Sequence, residues 1–186
     1  MSDPNDGEER GEGGGDWWQT ETNDEVPTSP ELWRPLDRHL NGFDLDPAAG
    51  CEPTPIADER YTPADDGLSS PWFGTVWLNP PFSAKTPWYS RLVAQYRAGD
   101  VDRAVAVATV DPSANWFHEQ FATADHIVFL NGRDWYLEHG SRPSFSTMLG
   151  LWNPTDDAVA WGRTMGTVAQ LPSERSQASL TAYDDA

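Results

Sequence analysis

The run Ala104-Val105-Ala106-Val107-Ala108-Thr109-Val110 is unbroken, uncharged, and built from small and β-branched side chains. A strand covered on both faces needs such a run, and cover on both faces is the mark of a parallel sheet flanked by helices. On its amino side, Trp88, Leu92 and Tyr96 recur at i+4 spacing and predict a helix that Gly99 terminates. Before that helix, Thr75-Val76-Trp77-Leu78 reads as another buried strand, ending at Asn79-Pro80-Pro81-Phe82. On the carboxyl side, Asp111-Pro112-Ser113 opens a helix running through Phe121, and Ile127-Val128-Phe129-Leu130 is a further strand.

Further outward the same alternation continues. Thr28 and Glu31 have the spacing of a capping box, Pro30 suits a first helical turn, and Leu32, Leu36 and Leu40 follow on one face. This predicts a helix of about 10 residues ending near Asn41-Gly42. Phe43-Asp44-Leu45-Asp46 reads as a short strand entering the small-residue turn Pro47-Ala48-Ala49-Gly50, and residues 51–71 as a long proline-containing loop. Trp135-Tyr136-Leu137 and Ser146-Thr147-Met148-Leu149-Gly150-Leu151-Trp152 are expected to pair as a terminal β-hairpin. Beyond Pro154 the periodicity fades. The order of elements is that of an α/β sheet. The expected organisation is an acidic flexible tail over residues 1–25, one domain over 26–154, and a partly flexible acidic extension over 155–186.

Composition narrows the class. The chain has 186 residues, 30 acids against 12 bases, and a net charge of −18. Ten tryptophans, seven phenylalanines and five tyrosines supply a core that a disordered chain lacks. No run approaches the roughly 18 to 20 apolar residues of a membrane span, and MSDPNDGEER has neither the basic nor the apolar part of a signal peptide, so a soluble cytoplasmic protein is expected. Cys51 is the only cysteine, and His39, His118, His126 and His139 are scattered, so no metal site is expected. An acidic chain ordinarily repels nucleic acid. Here, however, Lys85 is the only lysine beside 11 arginines, a pattern read as adaptation to molar salt, where a Debye length of about 3 Å mutes repulsion. A halophilic source is therefore expected, and net charge does not exclude a DNA substrate.

The chemistry concentrates at Asn79-Pro80-Pro81-Phe82. Two prolines fix the backbone and remove two amide donors, leaving carbonyls held as acceptors. With the Asn79 side-chain carbonyl, that of Pro80 can accept both hydrogens of one planar exocyclic amine. Phe82 offers a face on which a base can stack, worth about 1–3 kcal/mol. Asp46-Pro47-Ala48-Ala49-Gly50 has the small residues and strand-end acid that suit a cofactor with an amino-acid tail and a nucleoside, and Asp65-Asp66-Gly67 has carboxylates for an adenine amine.

The series Thr28-Ser29-Pro30-Glu31-Leu32, Phe43-Asp44-Leu45-Asp46-Pro47-Ala48-Ala49, Tyr61-Thr62-Pro63-Ala64-Asp65-Asp66-Gly67-Leu68, Trp72 and Trp77-Leu78-Asn79-Pro80-Pro81-Phe82-Ser83 resembles the small phage-type DNA N-6-adenine methyltransferases (Dam-like). Trp116-Phe117-His118 and Gly132-Arg133 are similar to later motifs of that family, so the resemblance spans roughly residues 24–152. It implies a Rossmann-like methyltransferase sheet and transfer of a methyl group from S-adenosylmethionine to the N6 amine of adenine in DNA. It further implies that Asn79, Pro80, Pro81 and Phe82 are catalytic, and that Asp46, Pro47, Ala48 and Gly50 hold the cofactor. By the same resemblance Thr28 packs near the cofactor's methionine part, and Asp65 or Asp66 meets its adenine. DNA contacts are expected from Ser83 and Lys85 after the tetrapeptide and from Arg133 and Arg142. The full Gly-x-Gly loop of the wider group is missing, as is an obvious second acid for the ribose, for which Asp58 or Glu59 stand nearest. The same tetrapeptide would also fit cytosine N4, an RNA adenine or a glutamine amide, and an idle DNA-binding protein of this fold is the rival from another class.

Overall fold

The computed structural model describes residues 27–50, 54–132, 135 and 145–172. Its layers follow from side-chain alternation along β4 (Val101–Thr109). Val105 and Val107 enter one core with Trp77, Leu149 and Leu151, while Ala104, Ala106 and Ala108 enter the other with Val76, Leu78 and Met148. The first core is closed by Leu32, Leu36 and Leu40 of α1 (Pro30–Leu40) and by Ala158 of α4 (Asp156–Met165). The second is closed by Tyr89, Leu92 and Tyr96 of α2 (Lys85–Ala98) and by Trp116 of α3 (Asn115–Glu119). Large aromatics face the alanines, so the small side chains of one layer complement the bulk of the other.

The sheet has seven strands: β1 (Leu45–Asp46), β2 (Glu59–Arg60), β3 (Gly74–Leu78), β4, β5 (His126–Leu130), β6 (Thr147–Trp152) and β7 (Gly166–Gln170). Their spatial order is β2-β1-β3-β4-β6-β5-β7. The first four pair in parallel, with Leu45 opposite Val76 and Trp77 opposite Val105. The remaining pairings are antiparallel. Among the described residues, no helix is long and apolar enough to cross a membrane.

Several expectations change. Pro30 is the first helical residue of α1, so the cap is Ser29, whose hydroxyl accepts the Glu31 N–H at 3.3 Å, and not Thr28. The expected end of that helix holds, with Asn41 left-handed at φ 67°. β2 lies inside the stretch read as loop; two residues carry no periodicity, and their pairing with β1 alone defines them. The terminal hairpin is not confirmed among the described residues. Both edges of β6 are taken, one by β4 and the other by β5, so Trp135 cannot pair along it; Tyr136 and Leu137 lie outside the described residues. The sheet also runs past the expected boundary at 154. Thr155 caps α4 through the Ala158 N–H at 3.2 Å, Asp156 and Asp157 face the positive end of its dipole, and β7 joins the edge of β5. The small buried residues Ala158 and Gly162 make a faint apolar stripe, which is why the sequence hides this helix.

His126 begins β5, and burial pushes its imidazole below the usual 6.5; Asp125 opposes that shift and Arg163 adds to it. A lowered value in the folded state favours the neutral ring, so its contribution is complete above about pH 6.5 and is lost as pH falls. Thermal melts should show Tm decreasing on acidification below that point, with a smaller decrease in His126→Gln; equal slopes for the two proteins would remove His126 as the cause.

Candidate active site

Because β1, β3 and β4 are parallel, their carboxyl ends share one edge of the sheet. The chain leaves β1 for β2 on one side and returns to β3 on the other. Such a reversal opens a crevice at the strand ends. Asp46 ends β1 there, and Asn79 follows the end of β3.

Asp46 is 2% exposed, and its carboxylate accepts the Ala48 N–H at 3.1 Å. That bond curls Pro47-Ala48-Ala49-Gly50 into a turn, held further by the Ala49 N–H to the Tyr61 carbonyl at 3.0 Å. Pro47 and Ala49 are buried, Ala48 is half-buried, and Gly50 is exposed. The Asp65-Asp66-Gly67 turn is laid against this loop. A Cβ on Gly67 would stand 2.0 Å from the Pro47 carbonyl oxygen, so only glycine permits the approach. The Gly67 carbonyl is in turn pinned by the Trp72 indole N–H at 2.7 Å.

Both acids of that turn are exposed. Asp65 accepts from the Thr62 hydroxyl and N–H at 2.7 and 2.8 Å, and these bonds hold its carboxyl below the ordinary value. Asp66 accepts from the Ser69 hydroxyl at 2.6 Å. Asp58, just before β2, and Glu59, its first residue, are the alternatives for a second acid; both are exposed, and Glu59 is level with Leu45 and therefore behind the strand ends.

Thr28 is 1% exposed, and its hydroxyl accepts the Asn79 side-chain N–H at 3.1 Å. This contact joins residues far apart in sequence and was not visible there. It ties the nitrogen of the Asn79 amide to Thr28, which turns the carbonyl oxygen of that amide the other way. Pro80 is buried, Pro81 half-buried, and a short 3-10 turn runs over Phe82–Ala84. The Phe82 ring meets Phe145 edge-on, with centroids 5.3 Å apart. Beside Thr28, the Ser29 N–H donates to the Trp135 carbonyl at 2.8 Å, bringing the chain before β6 against the same site.

Of the expected DNA contacts, Ser83 is exposed next to the turn. The Lys85 ammonium donates to the Phe82 carbonyl at 3.1 Å and lies 5.2 Å from the Trp116 ring centroid. Arg133 and Arg142 lie outside the described residues, as does Cys51. The structure thus gathers Thr28, Asp46 through Gly50, Asp65-Asp66 and Asn79 through Phe82 along one edge. Among the described residues no cluster of His, Cys, Asp and Glu could hold a metal ion. An open cleft of about 740 Å³ at the other edge, lined by Asp125, His126 and Arg163, contains none of the expected site residues.

The arrangement brings an oriented Asn79 amide and the proline turn after it to the same sheet edge as a buried acid and a small-residue turn. In comparison with known proteins, the sequence model of one family, DNA N-6-adenine-methyltransferase (Dam), matches residues 15–147. No curated protein matches the chain.

Proposed function

This chain therefore belongs to the DNA N-6-adenine-methyltransferase (Dam) family, and we propose that it transfers a methyl group from S-adenosylmethionine to the N6 amine of adenine in DNA. The observation that carries the reading is the Thr28–Asn79 hydrogen bond at the end of β3, beside the buried Asp46 at the end of β1. A Rossmann-like sheet, the finer reading of the fold, is supported by the reversal of strand order between β1 and β3. The domain then extends to about residue 171, since α4 and β7 complete it.

The residues present fit the cofactor. A buried carboxylate organises a turn of small residues, and the approach of Gly67 to Pro47 leaves no room there for a larger side chain. Asp46, Pro47, Ala48 and Gly50 would hold it, with Asp65 or Asp66 toward its adenine and Thr28 toward its methionine part. When bound, the cofactor supplies an electrophilic methyl group on a sulfonium.

The chain's own residues do the rest. The target adenine leaves the helix and stacks on Phe82, as enzymes acting on a base require. Asn79 Oδ1 and the Pro80 carbonyl accept its two N–H groups, which draws the nitrogen lone pair out of conjugation. Thr28 keeps the Asn79 amide in the orientation this needs. No general base is required, because the alkylated amine is acidic enough to release its proton to water. Orientation supplies most of the acceleration, about 7–11 kcal/mol in favourable cases. Ser83, Arg133 and Arg142 remain the candidate DNA contacts.

The test is transfer of labelled methyl to unmethylated DNA in about molar KCl, followed by nucleoside identification. Labelled N6-methyladenine is expected. Label in N4-methylcytosine, in RNA or in protein amides would redirect the reading, and a protein without transfer that fails to bind S-adenosylhomocysteine would be the idle scaffold. A halophilic source, read from the acidic, lysine-poor composition, predicts that Tm rises with KCl toward molar concentration; a flat or falling Tm would dismiss it.

A further inference from the structure

Lys85 is the first residue of a 14-residue helix whose first turn carries no acid and whose cap, Ala84, makes no side-chain bond. A cation at that end opposes the helix dipole, so the position is electrostatically unfavourable on its own. Two contacts and a nearby carboxylate offset this. The ammonium donates to the Phe82 carbonyl at 3.1 Å, and it stands 5.2 Å from the Trp116 ring centroid, within cation–π range. The Ser113 hydroxyl, with the Lys85 ammonium nearby, keeps the Asp111 carboxyl after β4 below its ordinary value. Trp116 itself is fixed. Its ring lies 5.4 Å from that of Tyr89, whose hydroxyl donates to the Val107 carbonyl in β4 at 2.7 Å.

The carbonyl that Lys85 grips belongs to the last residue of Asn79-Pro80-Pro81-Phe82. Two prolines stiffen the middle of this turn but leave its exit to be held by something else. We propose that Lys85 is a positioning residue for the methyl-transfer turn, bracing Phe82 against Trp116 and the sheet, and is not a phosphate contact. This replaces the expectation that Lys85 binds DNA, and it rests on the adenine-methylation reading only in taking that turn as the reacting one.

Kinetics of Lys85→Met and Lys85→Arg with DNA, over a range of KCl, test it. Lys85→Met should lose about 10–100-fold in kcat, because a displaced turn costs rate out of proportion to the shift. Its KM for DNA and the salt slope of DNA binding should stay at wild-type values, and Lys85→Arg should recover most of the rate by keeping the donor and the charge over Trp116. Unchanged kcat with weaker DNA binding and a salt slope shallower by about one would overturn the proposal, since a phosphate contact behaves that way.

A second measurement does not depend on the variants folding. Lys85 is the only lysine in the chain, so acylation of its side chain, mapped by mass spectrometry, reports one amine. It should react at least about tenfold more slowly in the native protein than in denaturant, with or without DNA, as an engaged ammonium does. Fast reaction in the free protein with protection by DNA would overturn the proposal. Absence of methyl transfer by the wild type would fail the adenine reading, whereas the acylation result would still judge the brace.

Discussion

Asn79→Ala should lower turnover by about 10²–10³-fold, the loss that follows when one preorganised polar group is removed from a reacting centre. The reason is geometric. Alanine deletes one of the two carbonyls that receive the amine hydrogens, and the nitrogen lone pair stays conjugated with the ring. Cofactor affinity, measured by calorimetry with S-adenosylhomocysteine, should hold near the wild-type value, because the Asp46 turn and the Gly67 approach do not involve this side chain. Thr28→Val should give a smaller loss by leaving the Asn79 N–H without its acceptor. With S-adenosylmethionine at saturation, so that a weakened Thr28 contact to the cofactor does not limit the rate, the double variant should be no slower than Asn79→Ala alone, since Thr28 orients the same amide. Equal loss of turnover and of cofactor binding in Asn79→Ala would assign the residue to structure instead.

Gly67→Ala should damage the cofactor side of the site. The new Cβ would stand 2.0 Å from the Pro47 oxygen and 3.2 Å from the Trp88 ring, so the Asp65-Asp66 turn must lift away from the Pro47-Ala48 loop. Backbone is the obstacle here, and backbone cannot be moved aside as the end of a flexible side chain can. Overpacking of this kind costs about 1–3 kcal/mol, or roughly 2–4 °C in Tm per kcal/mol for a chain of this size. Affinity for S-adenosylhomocysteine should fall about tenfold or more, the equivalent of at least about 1.4 kcal/mol. A variant that melts lower yet binds the ligand normally would separate the turn from the cofactor site.

Legibility in the sequence varied with the range of the forces involved. α1, β3, α2, β4 and β5 were readable because each repeats apolar side chains at its own period over five residues or more. Pro30 at a helix start and Gly99 at a helix end carried their own backbone restrictions. β2 is two residues long and β7 is an edge strand of partly exposed side chains with polar and apolar residues mixed on both faces, so neither had a pattern to show. Their pairing depends on β1 and β5 already being in place. The terminal hairpin was expected because Trp135-Tyr136-Leu137 and Ser146 through Trp152 are neighbours in sequence, yet β6 finds better partners in β4 and β5, which give it hydrogen bonds along both edges.

The site divides the same way. Asn79-Pro80-Pro81-Phe82 announces itself because prolines restrict their own torsions, and the turn after Asp46 is written in small residues. Those properties are local, and the sequence by itself determined them. Which side chain orients Asn79, that Lys85 grips the tetrapeptide's exit, and that Gly67 seats the acidic turn on Pro47 were decided only by the tertiary structure. Each is a contact between segments whose approach is set by sheet order and by packing of the two cores, and no residue type at one end specifies its partner at the other.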